Sequence, residues 1–226
     1  GDLDFPHVYA EPCNTGIASG HDYNNDGRIA TAADIGGREY GEDCYGFGTY
    51  PGQYSMALLS RFPIDAAGAR TFRTFLWKDL PGHHIPEDFY SPAEVENFRL
   101  SSKSHWDVPI DVGDARLHLW ISHPTPAVFD GEEDRNGRRN FDEIAFWRAY
   151  LDGEPALYDD AGRSGGYDAG RSFVIVGDLN SDPDSDNAFY DGRQSIDLLL
   201  SDPRLRDTGD VCVGAGNPDP TATATF

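Results

Sequence analysis

The chain is poor in lysine, cysteine, methionine and long apolar runs, and each shortage excludes something. Its 39 acidic side chains face 18 basic ones, of which only Lys78 and Lys103 are lysine. A formal charge of -21 repels polyanions. This argues against a tight, nonspecific grip on DNA, although a cation-filled cleft still admits one phosphate at a time. No apolar run approaches the roughly twenty residues of a membrane-spanning helix, and no signal-peptide pattern is in view. The three cysteines, Cys13, Cys44 and Cys212, lack the Cys-x-x-Cys spacing of a zinc site. Cys13 and Cys44 are a candidate disulfide pair, with Cys212 left over. The chain opens at Gly1 without methionine and stops at Phe226 inside a Thr-Ala repeat, so it reads as a fragment lacking both ends.

What is present suits one domain over residues 1–226, because 38% hydrophobic and 12% aromatic content can bury a substantial core. Short strands are expected at His7 to Ala10, Tyr54 to Arg61 and Arg70 to Trp77, with a long polar loop from Pro12 to Pro51 that carries no helical period. Leu80 to Asn97 reads as a surface loop with a short helix after Ser91-Pro92. Ser104 to Val112 and Arg116 to Ser122 form a hairpin around Gly113-Asp114. Asn140, with Glu143 three positions on, is expected to cap a helix whose apolar stripe is Phe141, Ile144, Trp147 and Leu151. Phe173-Val174-Ile175-Val176 reads as a strand covered on both faces, and Gln194 to Leu200 as a second helix.

Chemistry gathers at strand ends. The Phe173 strand runs into Gly177-Asp178-Leu179-Asn180, and residues two apart in extended chain project the same way. Asp178 then suits a divalent cation or an attacking water, and Asn180 a phosphate oxygen; the plainer reading is an Asx turn closing a strand. His123 ends another strand, directly before Pro124-Thr125-Pro126, as a candidate proton donor or charge stabiliser. Arg99, Lys103 and His105 crowd with serine hydroxyls in a strongly acidic chain, which points to phosphate. Arg139, beside an expected helix start, is either an anion contact or part of a self-paired charged loop. Asp22-Tyr23-Asn24-Asn25-Asp26-Gly27 matches the opening of a calcium loop, with Asp34 one residue late for its last ligand. Asp22, Asn24, Asp26 and Asp34 are therefore candidate structural-calcium ligands, against an Asx-rich turn without metal.

The ordered set of Met56-Ala57-Leu58-Leu59-Ser60-Arg61-Phe62-Pro63, Ser101-Ser102-Lys103-Ser104-His105-Trp106-Asp107, Ser122-His123-Pro124 and Gly177-Asp178-Leu179-Asn180 resembles the endonuclease/exonuclease/phosphatase superfamily, in a secreted bacterial branch. That resemblance implies an α+β fold, a four-layer α/β/β/α sandwich of the deoxyribonuclease I type, incomplete here at both termini. It also implies metal-dependent hydrolysis of phosphoesters with magnesium, manganese or calcium at the active site. His123, Asp178 and Asn180 are then catalytic, with Asp178 and Asn180 part of the metal site; Arg99, Lys103, His105 and Arg139 are phosphate contacts. The substrate expected is a nucleic acid, a nucleotide or a phospholipid headgroup, and the protein a secreted or periplasmic monomer. The family's early Asn and Glu and late Asp-His pair find no counterpart, which makes the isolated fragment an inactive one. The rival reading is a noncatalytic extracellular module that binds a partner through its calcium loop.

Overall fold

A computed structural model describes residues 4–184 and 187–207. In chain order the elements are β1 (His7–Tyr9), α1 (Arg38–Glu42), β2 (Leu58–Ser60), β3 (Arg70–Thr71), α2 (Pro92–Val95), β4 (His105–Val112), β5 (Ala115–Ser122), α3 (Arg135–Leu151), β6 (Ser172–Val176), β7 (Phe189–Tyr190), β8 (Arg193–Gln194) and α4 (Asp197–Leu200). Short 3-10 turns occupy Ala32–Asp34 and Trp77–Asp79.

The central sheet has the order β3-β4-β5-β6. Gly113, in the left-handed region at φ 63°, turns β4 back onto β5 in the expected hairpin. Helix α3 then carries the chain over to β6, which runs parallel to β5, as a crossover connection requires. Alternate residues of the sheet face opposite layers. His105, Trp120, Phe173 and Ile175 meet Phe146, Trp147 and Tyr150 of α3 in an aromatic core. Trp106, Val108 and Ile121 face the other way, onto Tyr9 and Leu58 of the β1–β2 ribbon and Met56 just before β2. The result is the expected α+β fold, and the described residues build an α/β/β stack. Val8 and Leu59, paired across the outer face of β1–β2, stay exposed.

Several local expectations are corrected. The Phe173 strand is an edge strand among the described residues: Phe173 and Ile175 pack toward α3 and Val176 toward the opposite layer, while Val174 stays exposed. The strand expected from Arg70 to Trp77 stops at Thr71: Asp160 accepts from the Arg73 and Thr74 amides and from both threonine hydroxyls, bending the chain so that Phe72, Phe75 and Trp77 all turn inward. The Tyr54 strand begins only at Leu58, and Gln194 closes β8, with the helix expected from it starting only at Asp197. Helix α3 starts five residues before Asn140, at Arg135. Cys13 and Cys44 are free, buried thiols in separate core clusters, not a disulfide; burial pushes the Cys44 thiol up to about 12. Cys212 and the Thr-Ala repeat lie outside the described residues. No helix among the described residues is long and apolar enough to cross a membrane.

Candidate active site

Strand register brings the site together. Ile121 of β5 is opposite Val176 of β6 in the parallel pair, so two residues further on His123 and Asp178 emerge side by side. Their Nε2 and Oδ2 atoms are 3.8 Å apart. His105 of β4 pairs with Ser122 of β5, and two residues before that pair Lys103 comes beside Pro124. The Lys103 ammonium donates to the Pro124 carbonyl at 3.3 Å. Three neighbouring strands therefore deliver an amine, an imidazole and a carboxylate to one sheet edge. Gly177 permits this: at φ 135° it sits where a Cβ would lie 1.9 Å from the Ser122 carbonyl oxygen, so only glycine lets β5 and β6 approach at their ends.

Two polar residues of α3 hold the loops in place. The buried Glu143 carboxylate accepts from the Ser102 amide at 2.6 Å, the Ser102 hydroxyl at 3.0 Å and the Thr125 amide at 2.6 Å. It thus ties the segments that carry Lys103 and His123 to the helix. One turn earlier, the buried Asn140 amide donates to the carbonyls of Thr125, Leu179 and Asn180, while its oxygen accepts from Ser195. The sequence had suggested a capping box for this pair. The signal pointing to an interior role is that Asn140, Glu143 and Trp147 share one helix face, so the two polar groups lie on the buried stripe.

Asp178 and Asn180 combine both readings of their motif. The Asn180 amide N–H donates to Asp178 Oδ1 at 3.1 Å, an Asx turn, with Asn180 in the left-handed region at φ 48°. Its side-chain amide donates to the Pro124 carbonyl at 3.0 Å, which latches the β6 end to the His123 loop. Asp178 faces a cavity of about 360 Å³ that Asp182 also lines, and Asn180 belongs to that cavity and to a second one of about 490 Å³. Lys103, His123 and Arg139 line the larger cavity.

The electrostatics follow from burial. Lys103 is only 5% exposed, and desolvation pulls its ammonium down to about 8, against an upward pull from Glu143. His123 titrates below its ordinary value, mainly through burial and secondarily through repulsion by Lys103, with Asp178 pulling the other way. At neutral pH the edge therefore holds a charged amine beside a neutral imidazole.

Of the remaining phosphate candidates, His105 and Arg99 line neither cavity, while Arg139 lines the larger one. His105 is sealed in the core, with Nδ1 at 2.5 Å from the Ser101 hydroxyl and Nε2 at 2.7 Å from the Glu143 carbonyl; burial pushes it down to about 4. It is a core histidine and reaches no phosphate. Arg99 stacks on Tyr45 and donates to Asn14. Arg139 is buried and donates to the carbonyls of Tyr45, Arg99 and Leu100, so it braces the cavity wall more than it offers a free fork. The calcium-loop residues do not gather as four ligands. Asp34 turns to Arg28 and to Thr31, whose 3-10 turn it caps, while the oxygens of Asp22, Asn24 and Asp26 accept amides of their own loop. The amide bonds are those of an Asx-rich turn, an arrangement that a calcium loop shares.

Among the described residues no group of three or more His, Cys, Asp or Glu side chains is arranged to hold a metal ion. The donor set that Asp178 and Asp182 present suits a hydrated hard cation, which is commonly held through one or two carboxylates, and not a fully protein-ligated one.

An imidazole, a carboxylate and an amine at the shared end of parallel and antiparallel strands are the equipment of an enzyme that works on an anionic ester. The chain matches the Endonuclease/Exonuclease/phosphatase family over residues 14–226 and belongs to that family, whose members are typically hydrolases acting on phosphoesters. A search of curated proteins finds no match, and a search of solved structures finds none either.

Proposed function

We propose that this protein is a metal-dependent hydrolase of a phosphoester bond, acting where Lys103, His123 and Asp178 converge. The observation that carries the reading is the 3.8 Å approach of His123 Nε2 to Asp178 Oδ2, with Lys103 on the adjoining strand. Lys103 binds a non-bridging phosphate oxygen as a point charge in a water-poor setting, where an ion pair is stronger than in bulk. His123, neutral near pH 7, takes a proton at Nε2 from the attacking water and can then deliver it to the leaving oxygen. Asp178 orients the attacking water, and with Asp182, which lines the same cavity, it would hold a magnesium, manganese or calcium ion whose charge would offset that of the phosphoryl group. Asn180 fixes the distance between the two strand ends through its bond to Pro124.

The full-length protein is expected to hydrolyse bis(4-nitrophenyl) phosphate with added magnesium, and to lose that activity with chelator and in Asp178→Asn. Undiminished turnover in the variant contradicts the assignment. The noncatalytic alternative rests on the calcium loop, in which Asp22, Asn24 and Asp26 share one Asx-rich turn while Asp34 pairs with Arg28.

A further inference from the structure

His84 stands outside the strand-end site, yet it joins separate parts of the fold. Its Nδ1 lies 2.7 Å from Asp142 Oδ1 on α3, and its backbone amide donates to Asp142 Oδ2 at 2.6 Å. Trp77 Nε1 donates to the same carboxylate at 2.5 Å. On the other side of the ring, Nε2 lies 3.5 Å from Asp191 Oδ2, at the turn of the β7–β8 hairpin. Phe141 of α3 and Tyr190 of β7 pack on the imidazole, with ring centroids 5.0 and 5.1 Å away. One imidazole thus sits between a buried carboxylate, 1% exposed, and an open one, 70% exposed. Arg138 of α3 donates to the His84 carbonyl and packs on Tyr190, whose hydroxyl donates to Asp134; His83 precedes in the same loop. Only the protonated ring can donate to both acids, because neutral imidazole carries one N–H. The Asp142 hydrogen bond, aided by both carboxylate charges, holds the His84 pKa above its ordinary value against the pull of burial.

The hairpin connects this contact to the site. Asp191 and Gly192 both take the left-handed backbone of a tight two-residue turn, at φ 52° and 77°. Ala188, just before β7, and Gln194, which ends β8, line the cavity that Asp178 and Asp182 share. We propose that His84 is a positioning residue: protonated, it clamps the Asp191 turn to α3 and so holds the β7–β8 hairpin as one wall of the Asp178 cavity. The clamp stands on this geometry, while its bearing on turnover rests on the phosphoester reading above. Asp178 is fixed from β6 and by the Asn180 bond to Pro124. Release of the wall therefore weakens substrate binding and spares the chemical step. Because the folded pKa is raised, the clamp contributes fully below about pH 6.5, the ordinary histidine value, and is lost as pH rises through the folded one.

The test uses Asp191→Asn in the full-length protein, since asparagine suits the same left-handed turn and the buried Asp142 is left untouched. NMR titration reads the His84 pKa, hydrogen exchange the protection factors of the hairpin amides, and bis(4-nitrophenyl) phosphate kinetics with magnesium the turnover. In the unmutated protein, protection over residues 189–195 should fall about two- to fivefold as pH rises, the range of one partly exposed ion pair, with its midpoint at the His84 pKa. In Asp191→Asn the His84 pKa should drop and protection should be low at every pH. KM at about pH 6 should rise by a similar factor with kcat and the urea midpoint unchanged, because the hairpin opens locally. Protection that ignores pH, an unmoved His84 pKa or an unchanged KM in the variant overturns the proposal. So does a fall in global stability large enough to account for the lost protection, which would make the contact merely structural. A clamp that titrates as described in a protein that hydrolyses no phosphoester would sink the hydrolase reading and leave the clamp standing.

Discussion

Glu143 makes the most demanding test of how the edge is assembled. Its carboxylate takes three buried hydrogen bonds, two of them from backbone amides in the loops that carry Lys103 and His123. Hydrogen bonds to a charged acceptor contribute ~1.5–3 kcal/mol each, and removing one partner of a buried charged arrangement destabilises by about 3–5 kcal/mol. Glu143→Ala should therefore lose about 4 kcal/mol, a large share of a typical ~5–15 kcal/mol total. Glu143→Gln keeps one accepting oxygen but turns an N–H toward a donor, for a loss of about 2 kcal/mol. Glu143 also pulls the Lys103 pKa upward, so the glutamine variant should move that group below about 8 and shift the alkaline limb of activity to lower pH. Urea unfolding and the pH dependence of kcat/KM read the two effects separately. A Glu143→Gln protein within about 0.5 kcal/mol of wild type, with the limb unmoved, would refute the idea that α3 positions the site.

Lys103→Met should stabilise the protein at pH 7 by about 1–3 kcal/mol while impairing turnover, because the folded-state value of about 8 lies below the unfolded 10.5 and folding carries the burial penalty wherever the amine is charged. The gain should shrink as pH rises from about 8 and vanish above about 10.5, which unfolding at pH 7, 9 and 11 would reveal. The same substitution removes the repulsion on His123 and should raise its imidazole pKa toward the ordinary value, as followed by NMR titration. Gly177→Ala places a Cβ 1.9 Å from the Ser122 carbonyl and should lower the melting temperature and abolish activity together, since β5 and β6 cannot close at their ends. Tyr150→Phe strips the buried Asp107 carboxylate of its 2.7 Å hydroxyl donor and should destabilise by about 1–3 kcal/mol without changing kcat once folded.

Strand ends were the most legible part of the sequence. Gly177-Asp178-Leu179-Asn180 and His123-Pro124 stand where turn chemistry interrupts β-rich runs, and parallel pairing of β5 and β6 then brings them together. Helix α3 was harder to place, because Gly137 resembles a loop residue. Its true reason is close packing: a Cβ there would lie 2.6 Å from the Asn187 carbonyl oxygen. Charge clustering misled at His105 and Arg99, since composition cannot distinguish a cation facing solvent from one saturated by buried carbonyls and aromatic faces. The two-sided burial expected of Phe173 to Val176 failed at Val174, because an apolar run does not show which neighbours cover it.

Shared action of His123 and Asp178 on one phosphorus centre is the central claim, and a double-mutant comparison of bis(4-nitrophenyl) phosphate turnover tests it most directly. If both groups serve one step, His123→Gln and Asp178→Asn each reduce kcat by a hundredfold or so, and the double variant falls little further, as expected of residues acting as a unit. Losses that simply multiply, or a single variant with wild-type turnover, would contradict it.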